Sequence, residues 1–159
     1  MITESETAAR CCVIGIGSPH GDDQAGWLVV DLLEKGSGLF SQAVVRKVAS
    51  PIEILHWASG CDHLILCDAC QGTGDAGTIT RFDWTELLGQ RIRWSGSHDV
   101  SLEAALQLLD RLVNPRPEIT LWGIEIESAS PCQPPCETVQ RAARELASQI
   151  VRDRRLAHA

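Results

Sequence analysis

The chain has 159 residues, of which 44% are hydrophobic and 22% charged, as in an ordinary globular domain. Its formal charge of −7 excludes a typical nucleic-acid-binding protein, because no basic excess is available to neutralise phosphates. No apolar run approaches the ~20 residues of a membrane span, and the odd number of cysteines, 7, argues against a closed disulfide framework. We therefore expect a cytoplasmic protein with free thiols, without nucleic-acid or membrane partners.

The predicted elements alternate between strands and helices. In chain order they are a strand at 11–17, a helix at about 23–35, a strand at 43–48, a short helix at 51–57, strands at 63–69 and 78–82, a helix at 100–112, a strand at 119–126 and a helix at about 136–152. This pattern predicts a single-domain α/β fold, a mainly parallel twisted sheet of about five strands with helices on both faces. The expected boundaries are a flexible leader at 1–10, one domain at 11–152 and a flexible tail at 153–159.

Three polar residues stand where the predicted strands give way to loops and helices. Asp23 follows the first strand, Asp68 ends the third, and His98 lies in the loop before the helix at 100–112. Because ligands of parallel sheets bind beyond the carboxyl ends of strands, the three side chains can converge on one rim. Two carboxylates about 4 Å apart repel by roughly 4 kcal/mol at an effective dielectric of 20. A divalent transition metal such as nickel or zinc would relieve this repulsion.

Each of these residues also has an ordinary structural interpretation. Asp23 can cap its helix, as aspartate commonly does at helix N-termini. Asp68 can accept backbone hydrogen bonds at a strand end, and His98 can be a solvated loop residue. Spacing alone leaves these alternatives open.

The glycines after the first strand suggest a second kind of site. Gly15-Ile-Gly17 begins like a dinucleotide-binding fingerprint, but its third glycine position is occupied by His20. The loop then presents Asp22 and Asp23, whose charges would repel a phosphate. A nucleotide-binding module is therefore the weaker interpretation, and no organic cofactor is expected.

The cysteines allow a third interpretation. Cys67 and Cys70 are three positions apart and Cys132 and Cys136 four, so together they could form a four-thiolate zinc site. Cys67 lies inside an apolar run, however, and a buried free cysteine commonly packs as a small hydrophobic residue. Packing is the favoured interpretation.

Four motifs in order resemble those of the hydrogenase maturation endopeptidases. They are Gly15-Ile-Gly-Ser-Pro-His-Gly-Asp-Asp-Gln-Ala-Gly26, Leu64-Ile-Leu-Cys-Asp-Ala69, Ser97-His-Asp-Val-Ser-Leu102 and Leu121-Trp-Gly-Ile-Glu125. The resemblance covers about residues 12–126. The chain departs from the family pattern at Ser18, where Asn is usual, and at Gln24, where many members have Gly. Asp23 also stands where some members have Glu.

The resemblance implies a hydrolase that removes the C-terminal extension of a nickel–iron hydrogenase large-subunit precursor after nickel insertion. The family's catalytic and metal-binding positions fall on Asp23, Asp68 and His98, and the nickel is expected to be carried by the substrate. A resident metal acting as Lewis acid, or an aspartate acting as general base in the manner of an aspartyl protease, remains open as a mechanism. A non-cleaving relative that binds the large subunit as a chaperone remains open as a function.

Overall fold

The computed structural model describes residues 10–36, 38–40, 43–87, 92–94, 100–127 and 133–157. In chain order the elements are β1 (Cys11–Ile16), α1 (Ala25–Lys35), β2 (Val44–Val48), α2 (Ile54–Ala58), β3 (His63–Gln71), β4 (Ile79–Phe82), β5 (Arg93–Trp94), α3 (Leu102–Leu112), β6 (Glu118–Glu125) and α4 (Glu137–Ala157). Each strand and helix predicted from the sequence is present, and β5 is an additional short strand.

Within the described residues the sheet has six strands, one more than predicted. Its order is β2-β1-β3-β6-β4, and β5 pairs with the end of β3. Strands β2, β1, β3 and β6 are parallel, whereas β4 runs antiparallel to β6 and β5 antiparallel to β3. The carboxyl ends of β1, β3 and β6 therefore meet at one edge of the sheet.

Helices cover both faces of the sheet, which confirms the predicted fold class. Successive residues of β3 alternate between two hydrophobic clusters. Ile65 and Cys67 pack in the cluster that contains residues of α1 and α4, whereas Leu64 and Leu66 pack in the cluster that contains residues of α2 and α3. The side chain of Asp68 consequently points to the α2–α3 face.

Two element boundaries differ from the sequence prediction. Strand β3 continues to Gln71 rather than ending at 69, because β6 pairs with it through Cys70 and β5 pairs with Cys70 and Gln71. Helix α4 continues to Ala157, so residues 153–157 are helical, although the sequence assigned them to a tail. No Gly or Pro follows Glu137 to end this helix.

Of the predicted leader, Arg10 is the residue that belongs to the described part of the chain. Its backbone N–H donates a hydrogen bond to the carboxylate of Asp62 at 2.6 Å. Residues 1–9, 158 and 159 lie outside the described residues. Among the helices that the structure describes, none is long and apolar enough to cross a membrane.

Candidate functional site

A tight turn after β1 carries Asp23. The chain leaves the sheet at Gly17 and forms a short 3-10 turn at Gly21–Gln24, in which Gly21 has a φ of 50°. Asp23 is 3% exposed, and its carboxylate accepts a hydrogen bond from the hydroxyl of Ser18. The residue at the N-cap of α1 is Gln24, so Asp23 does not cap that helix, contrary to the structural alternative.

Three glycines bring this turn and the start of α1 close to the sheet. A Cβ atom on Gly15 would lie 2.2 Å from the carbonyl oxygen of Gly26, and one on Gly26 would lie 2.4 Å from the carbonyl oxygens of Ile16 and Cys67. A Cβ on Gly17 would lie 2.7 Å from the carbonyl oxygen of Asp23. These contacts explain the glycines by helix–sheet packing, without a bound nucleotide.

Asp68 lies on β3 at the same edge of the sheet and is 1% exposed. Its Oδ1 accepts a hydrogen bond from the backbone N–H of Ala69 at 2.8 Å. Its Oδ2 is buried and has no hydrogen-bond partner among the described residues. Burial, followed by the negative charge of Asp23, raises the pKa of Asp68 well above its usual range. The backbone hydrogen bond expected of a strand-end aspartate is therefore present, and it engages one of the two carboxyl oxygens.

The negative charge of Asp23 disfavours ionisation of Asp68. When both carboxyl groups are ionised they repel each other, and a cation would be attracted to both. Such a pair is relieved either by a proton on one carboxyl group or by a bound dication. Oδ2 of Asp68, which has no hydrogen-bond partner among the described residues, is chemically suited to the second alternative, because carboxylate oxygens suit divalent cations. Within the part of the chain that the structure describes, no group of three or more His, Cys, Asp and Glu residues could hold a metal ion.

The third predicted residue, His98, lies outside the described residues, as do Ser97 and Asp99. The described residues on either side of it are anchored on the face of the sheet that carries Asp68. Trp94 pairs with Cys70, two positions beyond Asp68, and Val100 packs against the cluster that contains Leu66. Helix α3 then begins after Ser101, which caps it, because the Ser101 hydroxyl accepts from the N–H of Ala104 at 3.1 Å.

The rim of the site is joined to the start of α4, a contact that sequence reasoning missed. The carboxylate of Asp22 accepts hydrogen bonds from the backbone N–H of Cys136 at 2.7 Å and from its thiol at 3.4 Å. The N–H of Gly21 donates to the carbonyl oxygen of Gln133 at 2.9 Å. Asp22 therefore binds the chain just before α4 rather than facing a ligand.

The described cysteines of the alternative four-thiolate site, Cys67, Cys70 and Cys136, have different surroundings. Cys67 is buried between the sheet and the helices α1 and α4, whereas Cys70 points to the opposite face. Burial raises the pKa of the Cys67 thiol beyond its usual range and that of Cys70 to about 12. Cys136 is exposed and carries a free thiol, and Cys132 lies outside the described residues.

Glu125, at the end of β6, is a second buried acid that sequence reasoning did not single out as a functional residue. Its carboxylate accepts hydrogen bonds from the N–H of Gly72 at 2.7 Å and from the N–H and hydroxyl of Thr73 at 3.0 and 2.6 Å. Burial raises the pKa of Glu125, but these bonds and a weaker one from Cys70 outweigh burial and hold it below its usual value. In the sequence, an acidic residue between the apolar residues Ile124 and Ile126 could have marked Glu125 as a buried acid.

Three other histidines, His20, His56 and His63, lie within the described residues. His20 is exposed on the turn before Asp23, and His56 is exposed on α2. The Nε2 of His63 lies 2.9 Å from the hydroxyl of Thr120 at the amino end of β3, away from the aspartates. The ring of His63 thus has a hydrogen-bond partner within the sheet.

The chain was compared with known protein families and structures. Residues 30–153 match a family model described as hydrogenase maturation protease, a range that includes Asp68 but not Asp23. The hydrogenase maturating endopeptidase HybD from E. coli is 22% identical, with 93% of each chain covered and a TM-score of 0.73. A hydrogenase 2 maturation peptidase from a Thaumarchaeota archaeon is 24% identical, covering 91% of this chain and 97% of that one, with a TM-score of 0.64.

A third solved structure, the [NiFe] hydrogenase maturation protease HycI from Thermococcus kodakarensis, is 21% identical over 89% of this chain and 90% of that one, with a TM-score of 0.68. A search of curated protein sequences gave no significant match.

Proposed function

Because this chain belongs to the hydrogenase maturation protease family, we propose that it removes the C-terminal extension of a nickel–iron hydrogenase large-subunit precursor once nickel has been inserted. The chain is a hydrolase of the endopeptidase class. Its partner in this proposal is the precursor large subunit, and the reaction takes place in the cytoplasm. Asp23, Asp68 and His98 are the residues that recognise the nickel carried by the precursor.

The observation that carries the proposal is Oδ2 of Asp68, which is buried without a hydrogen-bond partner among the described residues, together with the negative charge of Asp23 that acts on Asp68. A buried acid with a raised pKa and an unused oxygen is unfavourable for stability, and such groups concentrate at functional sites. A dication neutralises the repulsion between the two carboxylates and favours the ionised form of Asp68. A cation brought to the site by the substrate would therefore shift Asp68 toward its ionised form.

His98 supplies the third ligand in this proposal. Its support is the placement of Trp94 and Val100, which hold the two sides of its loop on the face that carries Asp68. A neutral imidazole added to two carboxylates forms a mixed nitrogen and oxygen set that suits nickel. Cleavage then depends on whether the precursor is loaded with nickel.

The decisive experiment compares cleavage of apo and nickel-loaded precursor by the purified protein, together with its metal content. We expect cleavage of the loaded precursor alone, by a protein that is purified without stoichiometric metal. Stoichiometric zinc, or efficient cleavage of apo precursor, would instead support a resident Lewis acid or an aspartate acting as general base. Binding of the precursor without any cleavage would support the chaperone alternative.

The role of His98 is tested by His98→Ala, with His56→Ala as the matched control. We expect His98→Ala to abolish processing and leave the circular-dichroism spectrum unchanged, because a loop histidine contributes little packing. The control removes an exposed imidazole from α2 and should leave processing unchanged. Unfolding of His98→Ala would contradict a functional role and favour a structural one.

A further inference from the structure

The two adjacent acids of the turn after β1 make different contacts. Asp23 is buried, and its negative charge acts on Asp68. Asp22 instead engages both of its carboxylate oxygens with Cys136: Oδ1 accepts from the backbone N–H at 2.7 Å, and Oδ2 accepts from the thiol at 3.4 Å. Asp22 could bind a cation only by giving up these bonds, so the two acids have separate roles.

The partner of Asp22 stands at the beginning of a packed helix. Helix α4 has 21 residues and begins at Glu137, and the carbonyl oxygen of Cys136 accepts a helical hydrogen bond from the N–H of Gln140 at 3.0 Å. A negative charge is favourable at a helix N-terminus, where backbone N–H groups lack acceptors within the helix. The other end of the contact is rigid because one face of α4 is buried in the core, through Val139, Ala143, Leu146 and Ile150.

The start of α4 contacts the loops that follow both strands of the site. On one side, the N–H of Gly21 donates to the carbonyl oxygen of Gln133 at 2.9 Å, beside the contact of Asp22. On the other side, a Cβ atom on Gly77 would lie 2.7 Å from Cγ2 of Thr138, so the loop after β3 packs directly against the first turn of α4. One segment therefore supports both loops at this edge of the sheet.

The remaining backbone bonds of the turn lie within it. The N–H of Asp23 donates to the carbonyl oxygen of His20 at 3.0 Å, and its carbonyl oxygen accepts from the N–H of Ser18 at 3.3 Å. These two bonds determine the shape of the turn, whereas the bonds of Gly21 and Asp22 to α4 determine where it lies. Position matters because groups that bind a shared ligand must be held within about 0.5 Å of the productive geometry.

We infer that Asp22 is a positioning residue, which holds Asp23 in place beside Asp68 by binding the N-terminus of α4. This inference rests on the proposed function, because it takes the nickel of the precursor as the cation that the two carboxylates must reach together. Asp23 faces the cation, and Asp22 anchors the turn that carries it.

The first test compares Asp22→Ala, which removes both acceptors, with Asp22→Asn, which keeps Oδ1 as an acceptor for the N–H of Cys136. In Asp22→Ala we expect kcat for nickel-loaded precursor to fall about tenfold, with KM changed by less than about twofold, because the bound substrate meets a displaced Asp23. Asp22→Asn should recover most of the rate. The matched control is Asp110→Ala, which removes an exposed acid that accepts from Arg116 at 2.8 Å and should match the wild type.

A second variant breaks the same contact from the side of the helix. Cys136→Pro has no backbone N–H to donate, and proline is tolerated at the start of a helix. We expect its kcat to fall as in Asp22→Ala, and the double variant to show no further loss, because both changes remove one contact. Losses that multiply to roughly 100-fold would show that Asp22 does not act through Cys136. If Asp22→Ala does not fold, an unchanged kcat in Cys136→Pro overturns the inference.

A binding measurement separates this inference from the proposed function. The Kd of the metal-free protein for Ni²⁺, measured by calorimetry without precursor, should rise about tenfold in Asp22→Ala. If the wild type cleaves and Asp22→Ala changes only the unfolding midpoint, Asp22 is merely structural and the proposed function stands. If Asp22→Ala weakens Ni²⁺ binding but the wild type cuts no precursor, Asp22 positions a cation site and the protease activity is wrong. If the wild type neither binds Ni²⁺ nor cleaves, both are wrong. If it cleaves without measurable binding of free Ni²⁺, the kcat values of the single and double variants decide.

Discussion

Asp68 on β3 and Glu125 on β6 are buried acids on the same face of the sheet, yet their surroundings are opposite. Glu125 accepts hydrogen bonds from Gly72, Thr73 and Cys70 and has a lowered pKa. Asp68 accepts one from Ala69, leaves Oδ2 without a partner among the described residues, and has a raised pKa. Burial alone therefore does not decide the direction in which the pKa of a buried acid moves. The hydrogen-bonding capacity that the fold leaves unused distinguishes the two.

The largest expected effect is on activity at Asp68. Asp68→Asn keeps the shape of the side chain and the Oδ1 acceptor but removes the charge. Processing of nickel-loaded precursor should fall by about 100-fold or more, because mutation of residues that only hydrogen-bond to metal ligands already lowers metal affinity or activity by about 10–100-fold. The measurement is the cleavage rate, with thermal unfolding as the check on folding. Processing at the wild-type rate would make Asp68 a structural acceptor like Glu125.

Next in size is the loss of stability at Glu125. Glu125→Ala leaves the N–H groups of Gly72 and Thr73 without their acceptor, and should lower the free energy of unfolding by about 3 kcal/mol in a urea titration. Glu125→Gln keeps one acceptor oxygen and should recover part of this loss. The folded fraction should still cleave precursor. Loss of cleavage without loss of stability would overturn the assignment of Glu125 as structural.

The pH dependence of stability should differ in sign between the two acids. The folded pKa of Asp68 is raised, so ionisation opposes folding, and the stability that this group contributes falls as the pH rises above the pKa of the unfolded chain, 3.8. Asp68→Asn should therefore gain thermal stability over the wild type between pH 4 and pH 7, by roughly 2–4 °C. The folded pKa of Glu125 is lowered, so its contribution is present at pH 7 and is lost as the pH falls through that pKa.

Differential scanning calorimetry of Asp68→Asn, Glu125→Gln and the wild type in metal-free buffer measures both trends. The Glu125→Gln deficit should be largest at pH 7 and shrink toward pH 3. Parallel pH curves for all three proteins would show that the two acids do not differ as described.

The smallest effect is expected at Ser18, whose hydroxyl orients the carboxylate of Asp23. Ser18→Ala should lower the processing rate about fivefold, the value of one ordinary hydrogen bond. Ser18→Asn retains a donor at this position and should recover part of the rate. An unchanged rate in Ser18→Ala would show that the turn alone fixes Asp23.

The sequence predicted the features that depend on local pattern. Apolar periodicity located every helix and the strands other than β5, and the rule that parallel strands end at one edge indicated that Asp23 and Asp68 would meet. Strand β5 has two residues, too few to show any periodicity. Strand β1 pairs with β3 as far as Cys67, and β5 pairs with β3 beyond that point, at Cys70 and Gln71. The local sequence pattern does not show where the pairing of β1 ends.

The sequence could not predict contacts that only the tertiary fold creates. Asp22 meets Cys136 across 114 positions, and Glu125 meets the loop at Gly72 across 53. Both acids looked like loop or strand-end charges, because their partners are remote in the chain. That Asp23 does not cap α1 also depended on tertiary contacts, since the close packing allowed by Gly15 and Gly26 fixes where the helix begins.

The position of β6 has a consequence for the order in which the protein is made. Strand β4 reaches the sheet through β6, which is inserted between β3 and β4 but is translated after both. While residues up to 117 emerge from the ribosome, one long edge of β3 and all of β4 have no partner, and such edges invite pairing with other chains. The nascent chain is thus most prone to aggregate in this interval, which ends when Glu118–Glu125 closes the gap.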